Sequence, residues 1–450
     1  MNKRILLSIA MLMGIAFTSG AQAFQEGFML NNYSQIYRYN PALAGDSDFI
    51  SLFQASIDGR ANVGASAFLY PRDGQVVTFL HSSVPAETFA SKIQEDNYKT
   101  KSLDFNLFSY GFFRGGAMHT LEVNFRGMYA VSVPGSLFML AKTGTTSPTY
   151  DFSKLQAQGD IYTELAYGYS RKVSDVFSFG GRVKLLGGFY KLDYNVTKLN
   201  LSVGETQYKA DIEAQMDLTN QAFRFGTGED GYVNFKDIDY RGLIHLPTGG
   251  GLALDLGVAL TPVEGLTISA SVLDLGGIFW YYGNAAKSSG SVTFTGIKDL
   301  SIEEISNGGL TAQLDGLKDE FLQQMKLTPA DKKLSFREIP FSANLGVKYS
   351  MPFWKALSTG LTGQYYGSRL MPYWEGRFAL ACNPVDWFDC TANIGKGTYG
   401  MVWGAAGSLR IKQFHINFGL QNGFGGTIPD KITDLEPNHE VVTVGMSYDL

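Results

Sequence analysis

Five histidines and two cysteines carry most of the chemical reach of this sequence. His81, His119, His245, His415 and His439 are scattered, with no pair at the spacing that brings two imidazoles to one metal. The HExxH pattern, which sets two histidines on one helix face around zinc, is absent. So is the G-x-S-x-G elbow that lifts a nucleophilic serine onto a strained turn. Catalytic residues, cofactors and resident metals are therefore not assigned. "GTGEDG" over Gly226–Gly231 fits G-x-G-x-x-G, but the phosphate-binding form needs a helix behind it. "YVNF" follows instead and reads as a strand, so the glycines mark a loop turn. Glu229, Asp230, Asp237 and Asp239 offer oxygen ligands of the kind calcium takes, and read equally well as solvated loop acids. Cys382 and Cys390 bracket "NPVDWFD", a turn that returns the chain alongside itself. In an exported chain that arrangement predicts a cross-hairpin disulfide. Neither cysteine belongs to a C-x-x-C motif, so no redox role is read from them.

Composition and period define the elements that position these residues. The chain has 24 Tyr, 32 Phe and 52 Gly in 450 residues, with only 18% charged, against an average near 25%. A net charge of −5 gives no electrostatic footprint for nucleic acid. "MNKR", the apolar run "ILLSIAMLMGIAF" and the small-residue site "AQA" read together as a secretory leader over residues 1–23. That apolar run is shorter than the roughly 20 residues of a spanning helix, and no second run approaches that length.

Period-2 alternation recurs along the rest. In "GLALDLGVAL", Leu252, Leu254, Leu256, Val258 and Leu260 share one face, and Ala253, Asp255, Gly257 and Ala259 the other. "FSANLGVKYS" from Phe341, "FHINFGLQ" from Phe414 and the terminal "VVTVGMSYDL" repeat the pattern. "LEVNFRGMY" and "FSFGGRVKL" place Glu122, Asn124, Arg126, Ser178, Arg182 and Lys184 on the polar side. Each segment has about the 9–11 residues of a tilted strand crossing a bilayer. An exported chain without a helical span satisfies its backbone in lipid only as a closed barrel. Short links at "RKVSD", "TPVEG", "MPFWK", "NPVDW" and "RIKQ" alternate with long irregular segments at 195–250, 280–336 and 366–376. That asymmetry matches short periplasmic turns and long external loops. The expectation is an all-β transmembrane antiparallel β-barrel of about fourteen strands over residues 49–450. Its first strand lies within 49–70 and pairs with the C-terminal strand to close the ring. Gly257, on the inward face, is expected to tolerate serine far better than Leu256 tolerates arginine.

Apolar residues at helical spacing predict an amphipathic helix over 311–327, with shorter candidates at "AETFASKIQ" and "PGSLFML", all in external loops. They suit a cap on the barrel mouth or, for 311–327, a partner-binding surface.

"YRYNPALAGDSDF" holds Asn40-Pro41-Ala42, a dipeptide-plus-one that by itself favours a turn. It resembles the Asn-Pro-Ala segment of the outer-membrane long-chain fatty-acid transporter superfamily, which includes barrels of the type nine secretion system in Bacteroidota. "VSVPGSLFMLAKTG", "YTELAYGYSRKVSDVFSFGGRVKLLGG" and "LTPVEGLTISASVLDLGG" are similar to an uncharacterised Bacteroidota barrel family within that group. The resemblance implies that residues 24–48 fold into the lumen as a plug, with Asn40, Pro41 and Ala42 as its fixed point and gating candidates. Arg126, Arg182 and Glu164 are the lumen partners expected for Asn40. An outer-membrane protein is expected, and with no catalytic motif in the sequence it is read as no enzyme. Its expected role is a conduit for small hydrophobic molecules; the alternative is a scaffold whose partner is a secretion-system or surface protein.

Overall fold

A strand that is apolar on one face and polar on the other needs lipid or core on the first side and polar partners on the second. In the computed structural model, fourteen such strands meet both needs by closing on themselves. The structure describes residues 25–45, 47–72, 75–144, 146, 149–204, 208–219, 226–229, 231–234, 246–281, 283–294, 326–330, 334–424 and 438–450. The leader read over 1–23, nearly all of the helix read over 311–327, and Asp230, Asp237 and Asp239 lie outside the described residues.

The strands are β1 (Phe49–Ala61), β2 (Asp96–Arg114), β3 (Ala117–Pro134), β4 (Gln156–Lys172), β5 (Phe177–Val203), β6 (Gly249–Val263) and β7 (Leu266–Trp280), followed by β8 (Phe341–Ser350), β9 (Leu357–Gly367), β10 (Tyr373–Val385), β11 (Phe388–Gly397), β12 (Gly400–Ile411), β13 (Phe414–Phe424) and β14 (Asn438–Asp449). Each pairs antiparallel with its neighbours in chain order, and β1 pairs with β14 from Phe49–Asp449 to Ala61–Asn438. The ring is closed, so the wall presents no free edge to lipid.

The two faces are those the alternation dictates. On β6, Leu252, Leu254, Leu256, Val258 and Leu260 are exposed on the outside, while Ala253, Asp255 and Ala259 are buried. Leu121, Leu165, Val183, Leu345, Leu361, Phe378, Phe418 and Val444 continue the outward apolar belt. Glu122, Asn124, Arg182, Lys184, His415, Asn417 and Gln421 are buried on the inward side.

Several strands outrun the sequence reading. β5 has 27 residues and β2 has 19, against the roughly 9–11 that cross a bilayer. Above the membrane a ladder continues without a lipid face, so the apolar period that marks the span stops while the strand does not. Segments read as irregular contain further strands. Tyr208–Thr219 pairs with the upper part of β5, and Asn284–Phe294 pairs with Tyr208–Thr219. The link read over 366–376 shrinks to residues 368–372 because β10 begins at Tyr373. The five short links read from the sequence stand at one end of the barrel, while the other end also holds a two-residue link, Thr398-Tyr399, between β11 and β12. At the other end, the short helices Ala86–Ala90 and Gly135–Thr143 pack through Phe89 and Phe138 against Phe68 and Phe79. Among the described residues, no helix is long and apolar enough to cross a membrane.

Leu256→Arg places a cation among lipid tails near the middle of β6. Its unfolding free energy in lipid vesicles should fall by about 2–4 kcal/mol if that position is at the midplane. The inward Thr443→Ser, which keeps its hydroxyl partner Ser56, should leave it nearly unchanged. Equal losses would show that the two faces have been exchanged.

Candidate functional site

The inward face of a closed barrel collects every polar side chain the alternation turns away from lipid. Here those side chains meet the N-terminal segment, residues 25–45, which lies against them as three short 3-10 turns: Gln25–Phe28, Ile36–Arg38 and Pro41–Leu43. Its path can be followed by its partners. Glu26 accepts from Arg377 of β10 at 2.8 Å and from Asn393 of β11 at 3.1 Å. The backbone amides of Asn31 and Asn32 donate to one oxygen of Asp389. The Tyr33 hydroxyl donates to Gln54 of β1 at 2.8 Å. Arg38 reaches Asp104 of β2 at 2.7 Å and Glu122 of β3 at 3.5 Å. Burial opposes the Arg38 charge, but Asp104 and Glu122 outweigh it, so its pKa lies above the ordinary guanidinium value.

Asn40-Pro41-Ala42 has a specific seat. Asn40 is extended and caps the turn that follows, its Oδ1 accepting from the Ala42 amide at 2.9 Å. Pro41 takes the first position of that turn, where a missing N–H leaves nothing unsatisfied. The Asn40 Nδ2 group donates to the backbone carbonyls of Val258 and Ala270, both at 3.1 Å. These replace the expected partners Arg126, Arg182 and Glu164. Those three are engaged with other charges, so a neutral amide finds the wall's carbonyls instead. The seat is a dimple made by Gly180 of β5 and Gly257 of β6, which are directly paired. A Cβ on Gly180 would stand 2.4 Å from the Pro41 carbonyl, and one on Gly257 would stand 2.0 Å from Asn40 Oδ1. The expectation that Gly257 tolerates serine is therefore wrong: the position faces inward, but the N-terminal segment occupies the space.

A charged layer fills the lumen beside this seat. Arg126 lies 3.3 Å from Asp104, 3.3 Å from Glu164 and 2.9 Å from Asp274. Arg182 pairs with Glu122 at 2.7 Å and Asp255 at 3.1 Å. Lys184 pairs with Asp255 at 2.8 Å and Asp274 at 2.5 Å. Asp274 has a positive φ of 65° and donates its amide to Asp255. It marks a break in register between β6 and β7, with Leu254 facing Leu275 and Leu256 facing Val272. β7 pairs with β8 up to Leu273–Ser342 and resumes with Ser335–Glu338 at Gly277.

Above that break is a cavity of about 940 Å³. Asp160, Lys191, Asp193 and Asp217 line its lumen side, and Phe336, Phe341 and Tyr365 also border it. Phe336 and Tyr365 are exposed, as are Leu345 and Leu361, which share the outward faces of β8 and β9 with Phe341 and Tyr365 respectively. Residues of both the inward and the outward register therefore line the cavity. Arg337 closes its inner side, reaching both oxygens of Asp160 at 2.8 Å and pairing with Asp193.

Cys382 and Cys390 are directly opposed across the β10–β11 hairpin, and both are free thiols in the structure. His415 places Nδ1 3.1 Å from the Asn32 carbonyl and Nε2 2.8 Å from a carboxylate oxygen of Asp449, both of them acceptors. "GTGEDG" opens with a two-residue strand, Gly226–Thr227, paired with Val233–Asn234. Among the described residues, no group of three or more His, Cys, Asp or Glu is placed to hold a metal. The segment's ion pairs through Glu26 and Arg38, and the glycine seat, were not foreseen. A signal existed in Gly180-Gly181, a tandem glycine inside a predicted strand, where close backbone approach is the usual reason.

A family model described as a family of unknown function, DUF5723, matches residues 41–420. No curated protein matches the sequence. Among solved structures, a FadL homologue of Pseudomonas aeruginosa aligns at 11% identity, covering 96% of this chain and 99% of its own, with TM-score 0.49. The toluene transporter TbuX of Ralstonia pickettii aligns at 10% identity over 92% and 93% of the two chains, TM-score 0.44. The toluene transporter TodX of Pseudomonas putida aligns at 9% over 96% and 95%, TM-score 0.42. The fold assignment rests on the closed strand order above and not on these distant likenesses.

Each hydrogen bond contributes about 0.5–1.5 kcal/mol net, and Asn40→Ala removes three. Hydrogen-exchange protection of residues 36–44 should fall by roughly 1.5–4.5 kcal/mol while the strands keep theirs. Gly257→Ala should do the same by steric displacement. Unchanged protection in both variants would mean that this seat does not hold the segment.

Proposed function

We propose that this chain, which belongs to the family of unknown function DUF5723, is an outer-membrane barrel that serves as a conduit for small hydrophobic molecules, with residues 24–48 as its plug. The observation that carries the reading is the cavity of about 940 Å³, lined by residues of both the inward and the outward register. An apolar solute has no reason to cross a lumen of buried, paired charges, because displacing them leaves charges unpaired in a low dielectric. A route from the cavity sideways past Phe336, Phe341 and Tyr365 into the bilayer avoids that layer. The volume lies within the range of small-molecule sites, about 300–1,000 Å³. The segment packed below it supports the plug assignment, since it occupies the axial path and is tied to seven or more strands through Glu26, Asp389, Gln54, Arg38 and Asn40. Nothing in this reading asks for catalysis.

Vesicles containing the protein should take up a small apolar fluorophore faster than empty vesicles. Ala285→Trp, which fills the cavity lining, should slow that uptake. Deletion of residues 25–38 should raise it, provided the barrel still assembles. Uptake no faster than in empty vesicles would sink the conduit reading. Failed export of a surface protein from cells lacking this chain, with permeability unchanged, would support the scaffold alternative.

We also propose that Cys382 and Cys390 are bridged in the oxidising compartment. Their thiols would give two electrons and two protons to a disulfide donor, which leaves as a dithiol. Non-reducing peptide mapping of protein isolated with its thiols blocked should recover the two peptides linked. The loop is short, so the chain-entropy contribution is at most about 3 kcal/mol, and the barrel should survive Cys→Ser at both positions. Two alkylated cysteines would rule the bridge out.

A further inference from the structure

The far end of the N-terminal segment enters a second buried charge cluster, separate from the layer around Arg126. Glu26 accepts from Arg377 of β10 at 2.8 Å, and the same guanidinium reaches Glu375 at 2.9 Å. His439 of β14 stands with Nδ1 3.4 Å from Glu375 and Nε2 3.8 Å from Asp58 of β1. Asp58 pairs with Arg60, whose guanidinium lies 3.8 Å from the centre of the Tyr373 ring. The neutral groups on Glu26 are Asn393 of β11 and Gln421 of β13, and farther along the arm Lys348 of β8 donates to the Met29 carbonyl, Asp389 of β11 accepts from the Asn31 and Asn32 amides, and His415 of β13 lies at the Asn32 carbonyl. All six ionisable side chains of the cluster are buried.

The charges do not balance. Among the described residues, three carboxylates (Glu26, Asp58 and Glu375) face two guanidiniums (Arg60 and Arg377). A lone charge buried away from water is strongly disfavoured and is removed by taking or losing a proton. Glu26, the carboxylate that arrives with the arm, is the group that can take it, and the cluster is neutral only with that one proton added. When Glu26 leaves for water, Asp58 and Glu375 balance Arg60 and Arg377, and the extra proton is no longer held.

We propose that seating of the N-terminal arm, residues 25–33, in the lumen takes up one proton, so that the arm is held at lower pH and released as pH rises. The inference rests on the reading of this segment as a plug and adds the signal that moves it. Burial pushes the Glu26 carboxyl above its ordinary value, more than Arg377, its own backbone amide, Gln421 and Asn393 pull it down. The sign follows. A group whose pKa is raised in the seated state favours seating fully below its free value, and that contribution is lost as pH climbs through the raised value. The Asn40 seat has no titratable group of its own, so residues 40–44 remain in place as the hinge.

Hydrogen-exchange mass spectrometry on the full mature chain in lipid nanodiscs tests this between pH 5.5 and 8.5, after correction for the intrinsic exchange rate. Protection of residues 25–33 should fall with pH, approaching about tenfold per unit for one linked proton, while that of residues 40–44 stays level. Glu26→Gln removes the third carboxylate and should flatten the profile. Asp58→Asn, which balances the same cluster from the wall, should flatten it independently. A level profile in the unaltered protein would overturn the proposal, and so would an unchanged slope in both variants. The readout is arm protection and not permeability, so this inference and the conduit reading fail separately.

Discussion

Closure of one hydrogen-bonded ring governs everything else in this molecule. In hydrocarbon, each unpaired backbone amide or carbonyl is costly, and a sheet avoids that cost only by joining its last strand to its first. The β1–β14 pairing, running from Phe49–Asp449 to Ala61–Asn438, does this. Once the ring is closed, a strand residue faces either lipid or lumen. The chain therefore ends on an amphipathic strand: Val442 and Val444 meet lipid while Thr443 and Ser447 turn inward.

The inward half carries a second obligation. Charges that the alternation sends inside must find partners there. Asp104, Glu122, Glu164, Asp255 and Asp274 face Arg126, Arg182 and Lys184 there, and Arg38 of the N-terminal segment supplies a fourth cation. Glu26 plays the reverse part toward Arg377. The segment is thus held in the lumen by charges at both of its ends and by a neutral anchor, Asn40, between paired glycines. A lumen so filled is poorly suited to passage along the axis. The register break at Asp274 and the cavity above it direct attention to the wall.

Much of this was legible beforehand, for particular reasons. Leu252 to Leu260 revealed both the existence and the register of β6, because lipid admits almost no polar residue on the outer face. The short turns were equally plain. The upper strands were not: Tyr208–Thr219 and Asn284–Phe294 stand where no bilayer enforces an apolar face, and their pattern does not separate them from loop. Asn40 was singled out, but with the wrong partners, since charged neighbours looked the natural match for an amide. The wall's own carbonyls at Val258 and Ala270 carry no mark in a sequence.

By itself the sequence determined the class of the protein: alternating strands of bilayer length, no helix of that length, and a terminal strand able to close the ring. These are local properties, set by the period of side chains along a strand and by what lipid excludes. Tertiary structure alone decided where the N-terminal segment sits, which charges it completes, and that Gly180 and Gly257 leave room for it. Those contacts join residues hundreds of positions apart, such as Glu26 with Arg377, and depend on how fourteen strands stagger around the ring. Period fixes which face a side chain takes; only the closed barrel fixes what stands opposite.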